Sequence, residues 1–431
     1  MNVNEKLIDF LHHSPSSFHA VEEITRRLEE NGYIALPEST SWTVFPGGKY
    51  YVTRNQSSII AFTVPAVLAR GFMICASHSD SPTFKIKEHA EGESAGMYVR
   101  LNTERYGGML CSTWLDRPLS VAGRVVAKQD GRIVSRTVCV DRDLLLIPNV
   151  AIHMMRGAND NMSYNAGVDM FPLMGSSAVK GSFKKIVADA AGVKEEDIIA
   201  SDLYLYNRTP ASVWGAENEF ISAPRLDDLQ CAFASLEAFL AAEAKDAIPV
   251  LAVLDNEEVG SQTKQGAAST FLYDVLARVC NALEMEYIPS ISHSFLVSAD
   301  NAHAVHPNHP EFADAHHRPK MNGGVVIKHN ANQRYPTDAV SQAIFASICE
   351  AADVPVQYFA NRSDMAGGST LGNIATTQVS LNAVDIGLAQ LAMHSSYETA
   401  GAKDTEYLIT ALRRFYSSAL TVLGDGEYVI E

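Results

Sequence analysis

Two adjacent glutamates, Glu257 and Glu258, follow closely on a run of seven mostly apolar residues, Ile248 to Leu254. A run of that length reads as a buried strand, so the pair is delivered to the rim of a sheet. Active sites of open α/β sheets sit there, outside the carboxyl ends of the strands. Neighbouring carboxylates repel each other, which predicts a cation or a shared proton beside them. The same plan recurs along the chain: His78 follows the apolar run Gly71 to Ser77, and Asp300 follows Ser294 to Ala299. Asp227 leads into a helix, and His394 closes the stretch LAQLAMH. Two imidazoles and three carboxylates satisfy two divalent cations if one carboxylate bridges, leaving an open position for water. Zinc suits such a mixture, and manganese or cobalt would accept the same atoms. A dimetal hydrolase also needs a carboxylate to take a proton from the attacking water, and Glu257 beside Glu258 provides base and ligand together. Asp80, two residues beyond His78, is placed to orient that imidazole. Taken singly, each residue has an ordinary reading as a cap, a structural His or a solvated charge. Their arrival at successive strand ends is what argues for a site.

The elements that must carry these groups are legible in the pattern. Leu7, Phe10 and Leu11, then Val21, Ile24 and Leu28, recur at helical spacing, with Ser14-Pro15 between them as a break. Short strands are expected from Tyr50 to Val64. Helices are expected from Asp228 to Lys245, with Leu229, Phe233, Leu236 and Leu240 as the buried stripe, and from Thr270 to Glu284. Thr337 or Asp338 caps another helix, Val354 to Phe359 reads as a strand, and a helix from Thr405 to Leu423 closes the chain. Alternating strands and helices indicate an α/β core with a largely parallel sheet. From about Glu91 to 220 the texture differs. Val121 to Ala127 and Arg132 to Val140 form a hairpin through Gln129-Asp130-Gly131, a polar loop runs from Arg156 to Gly167, a helix from Phe183 to Ala191 and a strand from Asp202 to Tyr206. Residues 91–220 are therefore read as an inserted domain, and 1–90 with 221–431 as a discontinuous catalytic domain.

Composition limits the partners. A chain of 431 residues favours two domains, and its formal charge of −16 argues against nucleic acid or an anionic membrane. No stretch offers the roughly 18 unbroken apolar residues of a membrane span. The opening MNVNEKLIDFLHH is amphipathic and shows no secretory signal. Six cysteines are scattered without a CxxC pair, which reads as buried free thiols and a cytoplasmic enzyme.

Several segments, in order, carry a likeness. Ser77-His78-Ser79-Asp80-Ser81-Pro82, Pro224-Arg225-Leu226-Asp227, Asp255-Asn256-Glu257-Glu258-Val259-Gly260-Ser261, Ser298-Ala299-Asp300 with Ala302-His303-Ala304-Val305-His306-Pro307-Asn308, and Asn330-Ala331-Asn332-Gln333-Arg334-Tyr335 resemble the aspartyl aminopeptidase family of dizinc exopeptidases, in its bacterial form. The likeness extends from the N-terminal helices past His394-Ser395. Asp228, where many members carry Asn, is a departure that leaves the ligand set untouched. The resemblance implies a zinc-exopeptidase-like three-layer α/β/α core with an inserted, β-rich dimerisation domain. It implies that His78 and Asp300 hold one zinc, Glu258 and His394 the other, that Asp227 bridges them and that Glu257 is the general base. It further implies a dimer that builds a tetrahedral dodecamer, and His153 of the insert reaching a neighbouring active site to assist the oxyanion. Read locally, His153 is a polar residue closing a short strand. Lys328 matches the position the family uses to read an acidic first residue, a cation in a water-poor pocket.

Other candidates weigh less. Gly367-Gly368-Ser369-Thr370-Leu371-Gly372 lacks the lysine and spacing of a phosphate loop, so a turn lining the substrate cleft is expected, with Asp364 facing the site. His303, His306, His309, His316 and His317 lie in a proline-marked loop and read as wall rather than as further ligands. The function expected is a metal-dependent aminopeptidase that removes the N-terminal residue of peptides, Asp or Glu preferred, through a metal-bridged water activated by Glu257. A dimetal deacylase of small amino-acid conjugates keeps the metals and changes the substrate. A catalytically idle assembly protein would have no use for Glu257.

Overall fold

Asn2 opens the first helix, Val3–His13, with a capping box: its side chain accepts from the Glu5 N–H, and the Glu5 carboxylate accepts from the Asn2 N–H. The computed structural model describes residues 1–67 and 69–431. Ser14-Pro15 interrupts the chain, and the second helix runs over Ser17–Glu30. By their contacts the residues form two units. The first comprises Met1–Asp80, Ser212–Met393 and Glu398–Glu431, and the second comprises Ser81–Ala211 and His394–Tyr397.

The first unit is built on a nine-stranded sheet in the order Ile34–Ala35, Lys49–Arg54, Ser58–Thr63, Ile248–Leu254, Phe72–His78, Phe295–Ala299, Asn382–Gly387, Val325–His329 and Val356–Ala360. The four strands from Ile248–Leu254 to Asn382–Gly387 are mutually parallel, with antiparallel neighbours on either side. Parallel strands are covered on both faces, which is why Phe72–His78 and Ile248–Leu254 are buried at every residue and read as unbroken apolar runs. On one face Ile74, Ala76, Val250 and Ala252 pack with the helices Phe271–Ala282 and Leu371–Gln378. On the other, Phe295 meets Phe415 of the helix Asp404–Tyr416, ring centroids 6.1 Å apart. Helix Leu226–Ala241 joins that layer, its Phe233 set 5.6 Å from Phe10. The result is the three-layer α/β/α arrangement expected. A five-stranded sheet, Ser212–Trp214, Phe220–Ala223, Glu398–Gly401, Ala389–Leu391 and Ala302–His303, completes the unit.

The second unit is an antiparallel six-stranded sheet ordered Arg132–Cys139, Leu119–Gln129, Ile198–Asn207, Thr83–Ser94, Tyr98–Tyr106 and Leu173–Ser176. Its core gathers Phe84, Trp114, Val121, Leu203 and Phe183 of the helix Phe183–Ala191. Asp130 and Gly131 take φ of 49° and 79°, the left-handed pair a tight Asp-Gly hairpin needs.

Two element expectations change. The helix predicted to Lys245 ends at Ala241, before the polar run Glu243 to Asp246. The last helix stops at Tyr416, and Leu420–Gly424 pairs with Glu427–Ile430 as a hairpin turned at Asp425-Gly426. β-branched and aromatic residues on both arms favour that pairing over further helix. Among the described residues no helix is long and apolar enough to cross a membrane.

Candidate metal centre

Strand register brings the expected ligands together. Leu254 lies opposite His78 in parallel pairing, so the segment carrying Glu257 and Glu258 and the His78 exit leave the sheet side by side. The next parallel strand, Phe295–Ala299, delivers Asp300 at the same edge. Asp227 arrives from the start of helix Leu226–Ala241, where its backbone is not helical and the Asp227–Asp228 peptide is cis. Ligand atoms of His78, Asp227 and Asp300, all buried, lie within 4.8 Å of one another, as do those of His78, Glu257 and Glu258. His78 Nε2 is 3.4 Å from Asp227 Oδ1. Two ligands each about 2.0–2.1 Å from one tetrahedral zinc stand roughly 3.3 Å apart, so this pair already has the spacing of atoms sharing an ion. The donor set therefore fits a divalent cation.

The surroundings fix each donor. His78 Nδ1 lies 3.0 Å from the Asp80 carbonyl oxygen and donates to it, which turns Nε2 toward Asp227. The Asp80 carboxylate accepts from the Glu257 N–H at 3.1 Å and from the Glu258 N–H at 3.2 Å. Asp80 thus fixes the imidazole and the glutamate pair at once. Asn256 holds the turn between strand and glutamates in the left-handed region at φ 63°, its Oδ1 accepting from Thr263 and Gln265. The His78 N–H donates to Asp228 Oδ2 at 3.1 Å, and the Asp227 N–H to Glu398 Oε2 at 2.9 Å.

Burial makes the site electrostatically demanding. It pushes the Glu257 carboxyl up to about 8; the His78 imidazole opposes this, while Asp300, Asp80 and Asp227 add to it. Burial also raises Asp300 to about 6 against the pull of Lys328, and raises Glu258 well above the usual carboxylate range with help from Asp227. So many acids in one dry space require positive charge. Asp9, His13 and Glu23 form a superficially similar group. Arg27 already bonds Glu23 at 2.6 Å and Asp9 at 3.3 Å, so that group is an ion-pair cluster.

The remaining predicted residues fall elsewhere. His394 belongs to the second unit, left-handed at φ 66°, its carbonyl accepting from the Leu110 N–H at 3.0 Å. His153 is also in that unit, in an exposed turn rather than at the end of a strand, because Ile147 to His153 makes only isolated bridges. Lys328 is 2% exposed, and its Nζ lies 2.8 Å from Asp385 Oδ1. Its pocket is water-poor, as expected, but the charge is matched from within the protein. Asp364 is exposed and bonded to Arg362 rather than turned to the site. Gly367 and Gly368 line a cavity of about 310 Å³ with His303, His309, Phe312 and Asn361, so the histidine loop does serve as a wall. Sequence reasoning missed Asp385 and Glu398. For Asp385 the signal was present, a lone carboxylate inside the apolar strand Asn382–Gly387. Glu398 gave none.

The comparisons agree with this geometry. The family described as Aminopeptidase I zinc metalloprotease (M18) matches residues 10–416. The probable M18 family aminopeptidase 2 of Clostridium acetobutylicum is 44% identical over 426 residues, 96% of this chain and 98% of that protein. A chain in the structure of the Ape4 and Nbr1 complex is similar with a TM-score of 0.93 at 35% identity, covering 96% of this chain and 85% of that one. A chain of the S. cerevisiae mApe1 dodecamer is similar with a TM-score of 0.85 at 28% identity, covering 96% of each. Likeness that runs unbroken through both units and every strand end bearing a metal-capable side chain leaves one family: the chain belongs to the M18 zinc metalloproteases and is an aminopeptidase of that family.

Proposed function

We propose that this enzyme releases one residue at a time from the N-termini of peptides with two divalent cations, zinc in the first place and manganese or cobalt as substitutes. His78 and Asp300 hold one ion, Glu258 and His394 the other, and Asp227 bridges. The observation that carries this reading is the convergence of His78, Asp227 and Asp300 within 4.8 Å at the ends of neighbouring elements. When bound, the ion pair supplies Lewis acidity toward the scissile carbonyl and offsets the crowded carboxylates. Glu257 takes a proton from the attacking water and returns it to the leaving amine. Asp80 keeps Glu257 and Glu258 in fixed relation through their backbone N–H groups. His78 stays in one tautomer because its Nδ1 donates to the Asp80 carbonyl.

The insert, residues 91–220 in the sequence reading, mediates dimerisation, and dimers build a tetrahedral dodecamer. The mApe1 dodecamer supports this, as do Ile152 and Met154, 46% and 83% exposed around His153. In that assembly the partner subunit's His153 donates to the oxyanion. Six free cysteines support a reducing, cytoplasmic setting, and the charge of −16 supports peptides rather than nucleic acid or membrane as partners. A preference for an acidic first residue is the finer reading, supported by the family likeness; because Lys328 is engaged with Asp385, the preference is separable from that lysine. The test is a profile of amino-acid anilides against N-acylated amino acids, with defined added metals and a chelated control. Metal-dependent cleavage of anilides is expected. Cleavage of the acylated series alone would replace the reading with a deacylase, and no metal-dependent cleavage of either with an assembly protein.

A further inference from the structure

Antiparallel register pairs Ile327 with Ile386 and Val326 with Gly387, which brings Lys328 opposite Asp385. Both are buried, at 2% and 0% exposure. Lys328 Nζ meets Asp385 Oδ1 at 2.8 Å and donates to the backbone carbonyl of Asp300 at 2.9 Å. The Tyr335 ring lies 5.1 Å from the same ammonium. Asp385 is itself held. Its N–H donates to Thr337 Oγ1 at 2.8 Å, and the Thr370 hydroxyl donates to its Oδ2. Gly372 closes the pair over, since a Cβ there would collide with Ser298. On its other side the Asp300 carbonyl abuts Gly387, where a Cβ would strike that oxygen. The Asp300 peptide is thus gripped between an ammonium and a glycine, one residue's length from the carboxylate aimed at His78 and Asp227.

We propose that Lys328 is a positioning residue: anchored by Asp385, it fixes the Asp300 peptide and so the aim of the Asp300 carboxylate at the metal pair, instead of reading the substrate. This rests on Asp300 being a metal ligand. Supporting contacts of this kind are worth about 10- to 100-fold in metal affinity or activity. An ammonium whose charge is matched inside the protein offers a substrate carboxylate little, because a second acid would enter unpaired.

The experiment compares the zinc-loaded wild type with Lys328→Met, Asp385→Asn and the double variant Lys328→Met/Asp385→Leu. The readouts are zinc transfer to a chromophoric chelator, thermal stability, and kcat and KM on aspartyl and alanyl anilides. Zinc transfer should accelerate by about 10- to 100-fold in all three, and kcat should fall alike on both substrates. The double variant should regain thermal stability, since apolar groups replace a buried ion pair well, without regaining zinc retention, because the Asp300 carbonyl still lacks its donor. If the double variant recovers zinc retention along with stability, Lys328 is merely structural. If Lys328→Met slows only the aspartyl substrate, it is a reader. Either result overturns the proposal. If the single variants do not fold, the double variant decides by the same zinc readout. Asp300→Asn is the control: zinc-depleted Asp300→Asn beside tightly loaded Lys328→Met/Asp385→Leu sinks the positioning role alone, whereas Asp300→Asn that keeps two zinc ions sinks the ligand assignment beneath it.

Discussion

Glu257→Gln tests the general base with the least disturbance. The substitution keeps size and shape, and the Glu257 N–H stays bonded to Asp80 at 3.1 Å, so the turn carrying Glu258 keeps its place. What goes is a proton acceptor that burial and three neighbouring acids already tune upward, to about 8. A raised carboxyl binds its proton firmly at the transition state, and a positioned base contributes about 100- to 10,000-fold. At about 1.36 kcal/mol per tenfold, that is roughly 2.7–5.5 kcal/mol on the barrier. The donor atoms of His78, Asp227 and Asp300 are untouched, so metal content should not change. The assay is kcat on an amino-acid anilide in metal-replete buffer, with ions per chain measured by atomic emission on the same sample. Glu258→Gln is the contrasting variant, expected to lose activity through lost metal. Turnover within about tenfold of wild type in a fully loaded Glu257→Gln enzyme would refute the reasoning.

Asp227→Asn should deplete both metal positions, because one bridging carboxylate serves the two; retention of two ions per chain would contradict the bridge. His153→Ala should bind metal and assemble normally but turn over about 100- to 1,000-fold more slowly, the usual cost of one oxyanion donor. Mixed with Glu257→Gln and allowed to exchange subunits, it should recover activity, and proven exchange without recovery would return His153 to a surface role. Glu23 offers a test away from the site. Burial pushes its pKa up, but hydrogen bonds from Arg26 and Arg27 outweigh that, so the folded value lies below the ordinary one. Its stabilisation is therefore present above the unfolded pKa and is lost as pH falls through the lowered value. Glu23→Gln should cost about 1.5–3 kcal/mol in urea unfolding at pH 7 and much less at acid pH, and an equal loss at both would exclude the ion pairs as the cause.

The sequence by itself determined the elements and the ligand types. Unbroken apolar runs such as Phe72–His78 and Ile248–Leu254 can only be strands covered on both faces, and whatever follows them must lie at a sheet edge. His78, Glu257, Glu258 and Asp300 were legible for that reason. Tertiary structure decided what depends on register and on approach from distant segments. Asp80 bonds both glutamate N–H groups because two strands 170 residues apart pair level, and nothing local reports that. Lys328 reads locally as a basic residue open to a ligand; only its antiparallel neighbour Asp385 shows the charge already answered inside the fold. The C-terminal hairpin was missed because a weak helical pattern past Tyr416 competes with pairing to Glu427–Ile430, and the energy of that pairing lies in the partner strand. Periodicity records which face of an element is dry. It carries no record of which buried charge meets which, because that is settled by strand order and register.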